Sequence, residues 1–82
     1  MDENNSFNFI YNGFNANINP IQTDNGKWTV AMPITFRIYL SSSKVREVVY
    51  SINPQMSFNS KEETFNGIAA YLRSKINSGD IK

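Results

Sequence analysis

Residues 27–40 read KWTVAMPITFRIYL, and every even position is apolar: Trp28, Val30, Met32, Ile34, Phe36, Ile38 and Leu40. The odd positions, Thr29, Ala31, Pro33, Thr35, Arg37 and Tyr39, are mixed. An unbroken apolar alternation of period two marks a strand with one face against a core. The fold follows from what pairs with this stretch and what covers its stripe.

Upstream lie two Asn-Gly pairs, Asn12-Gly13 and Asn25-Gly26. Such pairs favour type I′ hairpin turns, because both central residues need positive φ. A two-residue loop at the first sets Tyr11 opposite Phe14, Phe9 opposite Ala16 and Phe7 opposite Ile18, all on one face. The same loop at the second sets Thr23 opposite Trp28 and Ile21 opposite Val30. The two hairpins then disagree in phase, and a one-residue bulge at Asn19-Pro20 reconciles them, since proline cannot donate to a ladder. Ile18 would then face Met32, Ala16 would face Ile34 and Phe14 would face Phe36. Downstream, VREVVYSI pairs through a three-residue loop, with Ile38 against Val48, Phe36 against Tyr50 and Ile34 against Ile52. The expected strands are 7–11, 14–24 with a bulge at 19–20, 27–40 and 45–52.

PQMSFN, residues 54–59, connects the last strand to a helix over 61–77. Ser60 and Glu63 form a capping box, and Phe65, Ile68, Ala69, Leu72 and Ile76 share one helical face. Gly79 stands where a C-terminal cap belongs. The fold class is α+β, an antiparallel β-meander of about four strands packed on one C-terminal helix. Residues 6–78 form the domain, with a disordered tail over 1–5 and a C-terminal tail over 79–82.

About 17 helical residues reach ~25 Å, whereas a straight strand from Trp28 to Leu40 reaches ~40 Å. One helix therefore leaves part of the stripe bare. Either the strand bends at Pro33 and the sheet curls over its own helix, or a partner covers the remainder.

The chain has 82 residues, no cysteine and a formal charge of +1. It is one small domain without a disulfide, held by packing or self-association. The polar start MDENNS is unlike a signal peptide, and no apolar run approaches the ~20 residues of a membrane span. A cytoplasmic protein with no membrane contact is expected. Histidine is absent, which removes the commonest general base and metal ligand. Glu62 and Glu63 suit the first turn of the helix, and the four glycines are isolated, without a phosphate-binding loop. Neither catalysis nor a cofactor or metal is expected.

A small antiparallel sheet with one helix resembles, in topology alone, the arm-binding domains of phage integrases, which read DNA with the sheet. That resemblance implies a nucleic-acid-binding module using the outer face around Arg37 and Tyr39. Arg37 is the one cation between Trp28 and Leu40, and it has Glu47 nearby, which makes nucleic acid an unlikely partner by charge. A third reading is a carrier of a small apolar ligand, with Met32, Met56 and Phe58 lining a cavity.

The reading favoured is a small non-catalytic protein-interaction module, such as an accessory subunit, adaptor or inhibitor, that binds an unidentified protein partner or forms a homodimer. Candidate interface residues are Arg37, Tyr39, Val45, Glu47 and Val49 on the sheet. On the helix they are Gly67, Ala70 and Ser74, because an interior glycine costs ~1 kcal/mol and invites a close neighbour. The uncharged first strand, with Phe7, Phe9 and Ile10, is the candidate edge for sheet extension.

Overall fold

The structure, a computed structural model, describes residues 6–52 and 55–81. The expected tail over 1–5 lies outside the described residues, as do Asn53, Pro54 and Lys82. Six strands and one helix follow in the order β1 (Phe7–Tyr11), β2 (Phe14–Ile18), β3 (Pro20–Gln22), β4 (Trp28–Val30), β5 (Ile34–Ser41), β6 (Lys44–Tyr50) and α1 (Lys61–Ser78). The main sheet is antiparallel in the order β1-β2-β5-β6, and β3 and β4 form a separate two-stranded sheet. The architecture is the expected α+β meander on a single C-terminal helix.

The first hairpin has the expected register: Phe7 faces Ile18, Phe9 faces Ala16 and Tyr11 faces Phe14. Asn12 and Gly13 both have positive φ, 50° and 83°, as a type I′ turn requires. The second hairpin differs. The Gly26 amide donates to the Thr23 carbonyl and the Thr23 amide donates to that of Lys27, so the loop holds three residues, Asp24, Asn25 and Gly26. This is the turn in which glycine takes the left-handed position of a bulge, and Gly26 has φ 84°. The extra residue moves the register by one, pairing Ile21 with Thr29 and Pro20 with Val30. Ile21 is exposed, against expectation, while Val30 is buried as expected and Thr29, now the partner of Ile21, is also buried at 2% exposure.

That shift also removes the phase conflict. Ile18 and Pro20 are both buried with Asn19 exposed between them, so the alternation crosses Asn19-Pro20 unbroken. The irregularity sits on the opposite strand. From the Asn15–Arg37 pair to the bond from the Ala31 amide to the Asn19 carbonyl, one strand advances four residues and the other six. The two extra residues fall where β4 gives way to β5, around the cis Met32-Pro33 peptide. The expected single strand 27–40 is therefore two strands in two sheets.

The remaining registers each differ from expectation by two residues, which preserves the faces. Phe14 faces Ile38. On the other side of β5, Phe36 faces Val48, Ile34 faces Tyr50 and Arg37 faces Glu47. The β5–β6 ladder is irregular between Tyr39 and Ser41, leaving Leu40 unpaired, and the turn contracts to Ser42-Ser43.

The helix begins at the expected cap, Ser60, although the Glu63 carboxylate reaches one residue further back than a capping box requires. The Ser60 hydroxyl accepts from the Glu63 amide at 3.1 Å, and the Glu63 carboxylate accepts from the Asn59 amide at 3.2 Å. It ends at Gly79, with φ 87°, whose amide donates to the Ile76 carbonyl. The segment expected as a C-terminal tail returns to the body: Ile81 is buried with the core.

Phe9, Ile18, Ile34 and Phe36 of the main sheet, Val30 of β4, and Ile68, Ala69, Leu72 and Ile76 of α1 make one buried cluster. The connector also joins in. Phe58 exchanges backbone hydrogen bonds with Trp28 at 2.7 and 2.8 Å, adding one rung beside β4. Among the described residues no helix is long and apolar enough to cross a membrane.

Candidate protein-contact site

Burial fades along β5. Ile34 and Phe36 are buried, Ile38 is half-buried, and Leu40 is 61% exposed. The long stripe is thus covered in two ways and left open in a third. Its first part turns away with β4 toward β3, its middle lies in the core, and its end, at the bulge, meets solvent.

On the opposite face the register assembles the residues singled out on the sheet. Arg37 lies across from Glu47, Tyr39 across from Val45, and Thr35 across from Val49. The Arg37 Nε and Glu47 Oε2 are 3.4 Å apart, both side chains more than half exposed. Such a pair is worth ~0–1 kcal/mol in a free chain. Around it stand Tyr39, Val45 and Val49, at 60%, 49% and 62% exposure. The row continues inward through Asn15, the neighbour of Arg37 on β2, to Ile10 on β1. The Asn15 side-chain amide donates to the Arg37 carbonyl at 3.3 Å, which holds this row in place.

The same face carries a shallow concavity of about 430 Å³, lined by Asn8, Asn15, Asn17, Thr35, Arg37 and Tyr39 among others. It is polar and lies on the outer side of the sheet. The interior between sheet and helix holds Phe36, Ile18, Ile68 and Leu72, all fully enclosed, and Met32, Met56 and Phe58 pack against that core.

The helix residues do not join this site. Ala70 and Ser74 are exposed on the element that covers the sheet's inner face, away from Arg37 and Tyr39. Gly67 has a neighbour within its own chain. A Cβ there would stand 2.3 Å from Phe58 Cε1 and 2.8 Å from Cζ, so the ring of Phe58 occupies the space that the missing side chain leaves. On β1 the three edge residues separate: Phe9 is buried, Phe7 half-buried, and Ile10 66% exposed on the outer face.

The bare end of the stripe is Leu40, beside a ladder irregularity that no turn residue announces. Lys44 and Arg46 fall on the helix side of β6, Arg46 opposite Ile38, so the outer face keeps Arg37 as its single strand cation among the described residues. Among those residues no three carboxylates gather to hold a metal ion. The chain matches no protein-family model, no curated protein and no solved structure.

Proposed function

We propose that this chain is a non-catalytic protein-interaction module that binds another protein through the outer face of β5 and β6. The observation that carries this is the cluster of Tyr39, Val45 and Val49, all about half exposed or more, around the Arg37–Glu47 pair. Tyrosine and arginine are enriched at the energetic centres of interfaces. Accessory subunit, adaptor and inhibitor are the roles open to such a module. Phosphate-backbone binding needs several cations, and this face supplies one that is already paired.

The test is quantitative affinity capture from a lysate of the source organism, using the wild-type chain beside Tyr39→Ala and Val49→Lys. Both sites are exposed, so both variants should keep the fold. A protein enriched on wild type and reduced at least tenfold on both variants supports the reading. Equal recovery on all three contradicts it. Nuclease-sensitive, salt-sensitive recovery of nucleic acid would replace it with a sheet-face nucleic-acid module.

A further inference from the structure

We infer that Asn12 is a site of spontaneous covalent modification, converting through a cyclic imide to aspartate and isoaspartate while the other Asn-Gly pairs of the folded chain stay intact. The pairs are Asn12-Gly13, Asn25-Gly26 and Asn66-Gly67. The inference is independent of the β5–β6 contact face.

Water is the only co-reactant. The backbone nitrogen of the glycine loses its proton and forms a bond to Cγ of the preceding asparagine. The side-chain nitrogen takes up a proton and leaves as ammonia. Water then opens the imide ring. Breaking the bond from nitrogen to Cγ gives aspartate, and breaking the bond from nitrogen to the main-chain carbonyl carbon gives isoaspartate. Nothing is oxidised or reduced. Glycine favours the attack because it has no Cβ to crowd it. As dipeptides the three pairs are equal, and the fold separates them.

Two of the three glycine amides are occupied. Gly67 lies inside α1, where its amide donates to the carbonyl four residues back. The Gly26 amide donates to the Thr23 carbonyl at 3.0 Å. The Asn25 carboxamide is held as well, its Oδ1 accepting from the Thr23 hydroxyl and, at 3.1 Å, from the Lys27 amide. A bonded amide gives up its proton only when the bond opens, the event that hydrogen exchange reads. At the tip of the first hairpin neither reacting group is engaged. Among the described residues the Gly13 amide and the Asn12 side chain have no hydrogen-bond partner. In a two-residue hairpin the closing bonds belong to the flanking residues, here Tyr11 and Phe14. Attack needs the Asn12–Gly13 peptide to rotate, and no hydrogen bond fixes that peptide. Both loop residues are exposed, so water reaches them.

The two products act differently on the hairpin. Aspartate leaves the main chain as it is and tolerates the positive φ of 50° that this position requires. Isoaspartate carries the main chain through Cβ, which lengthens a loop whose two residues set the Tyr11–Phe14 rung. Either product adds one carboxylate to a formal charge of +1, which leaves zero.

The test is incubation of the full chain in mildly alkaline buffer, folded or unfolded in guanidinium chloride, followed by peptide mapping with mass spectrometry. Fragmentation that separates aspartate from isoaspartate reads both products at each pair. In the folded chain Asn12 should convert at least fivefold faster than Asn25 and Asn66. In the unfolded chain the three rates should converge, since every glycine amide is then free. Amide exchange of the folded chain gives a second readout without any variant: Gly13 should exchange fast, and Gly26 and Gly67 slowly. A preference of less than fivefold in the folded chain, or no conversion at Asn12, would overturn the inference. So would a preference for Asn12 that persists after unfolding, since it would then belong to the neighbouring residues and not to the fold.

Discussion

The ring of Phe58 lies where a side chain at Gly67 would have to go, with Cε1 2.3 Å from the Cβ position. The connector reaches this position because Phe58 is fastened to Trp28 by two backbone hydrogen bonds. Glycine in the second turn of a helix is thus the partner of a residue in the preceding loop.

Gly67→Ala should therefore destabilise the chain, although alanine is the better helix former by ~1 kcal/mol. The overpacked ring should cost ~1–3 kcal/mol in urea unfolding. Combining it with Phe58→Leu should recover part of the loss, giving a coupling energy of ~0.5 kcal/mol or more in a double-mutant cycle. An increase in stability from Gly67→Ala alone would show that the ring does not sit there.

Thr29 is buried, and its hydroxyl has no hydrogen-bond partner among the described residues. An unsatisfied buried hydroxyl costs ~1–3 kcal/mol. Thr29→Val, equal in shape, should leave stability unchanged or raise it by about 1 kcal/mol. A loss of more than about 1 kcal/mol would mean that the hydroxyl has a hydrogen-bond partner in the folded chain.

Tyr50 and Tyr71 meet at their hydroxyls, 3.5 Å apart. The hydrogen bond to Tyr71, with burial and neighbouring charge added, pushes the Tyr50 phenol from 10.0 up to about 12. The folded chain then holds this proton where the unfolded chain has lost it. The resulting stability is complete below pH ~10 and is lost as pH rises through ~12. In ultraviolet titration one tyrosine should ionise late, and Tyr50→Phe should abolish that late step. A late step that survives in Tyr50→Phe belongs to another residue.

The end of the stripe should behave as surface and its middle as core. Phe36→Ala should cost ~3–5 kcal/mol, whereas Leu40→Ser should stay within ~0.5 kcal/mol. Comparable losses at both positions would mean that the free chain covers Leu40.

The pattern of residues foretold faces better than offsets. Alternation of period two constrains parity, and shifting a register by two residues leaves every side chain on its face. That is why Phe36 lies in the core and Arg37, Tyr39 and Glu47 share the outer face, although β6 pairs two residues away from expectation. Asn12-Gly13 specified its hairpin in full. Asn25-Gly26 marked a turn but not its length, since glycine serves at positive φ in both a two-residue and a three-residue loop. That single residue changed the pairing, setting Ile21 against Thr29 in place of Val30. Helix and cap were legible because capping chemistry and the 3.6-residue period act locally. The Phe58–Gly67 contact was not, because no periodicity links a loop aromatic to a helical glycine. The sheet members of the site were legible because parity gathers them, while the ladder irregularity beside Leu40 has no signature in SSSK.

The most direct measurement is hydroxyl-radical footprinting of the chain, alone and in complex with the protein captured on it. Alone, Tyr39, Leu40 and Val49 should be labelled strongly and Phe36 hardly at all. In the complex, labelling of Tyr39 and Val49 should fall severalfold while that of Ala70 and Ser74 on the helix stays unchanged. Equal labelling of Tyr39 with and without the partner would contradict the assignment of the β5–β6 face as the binding surface.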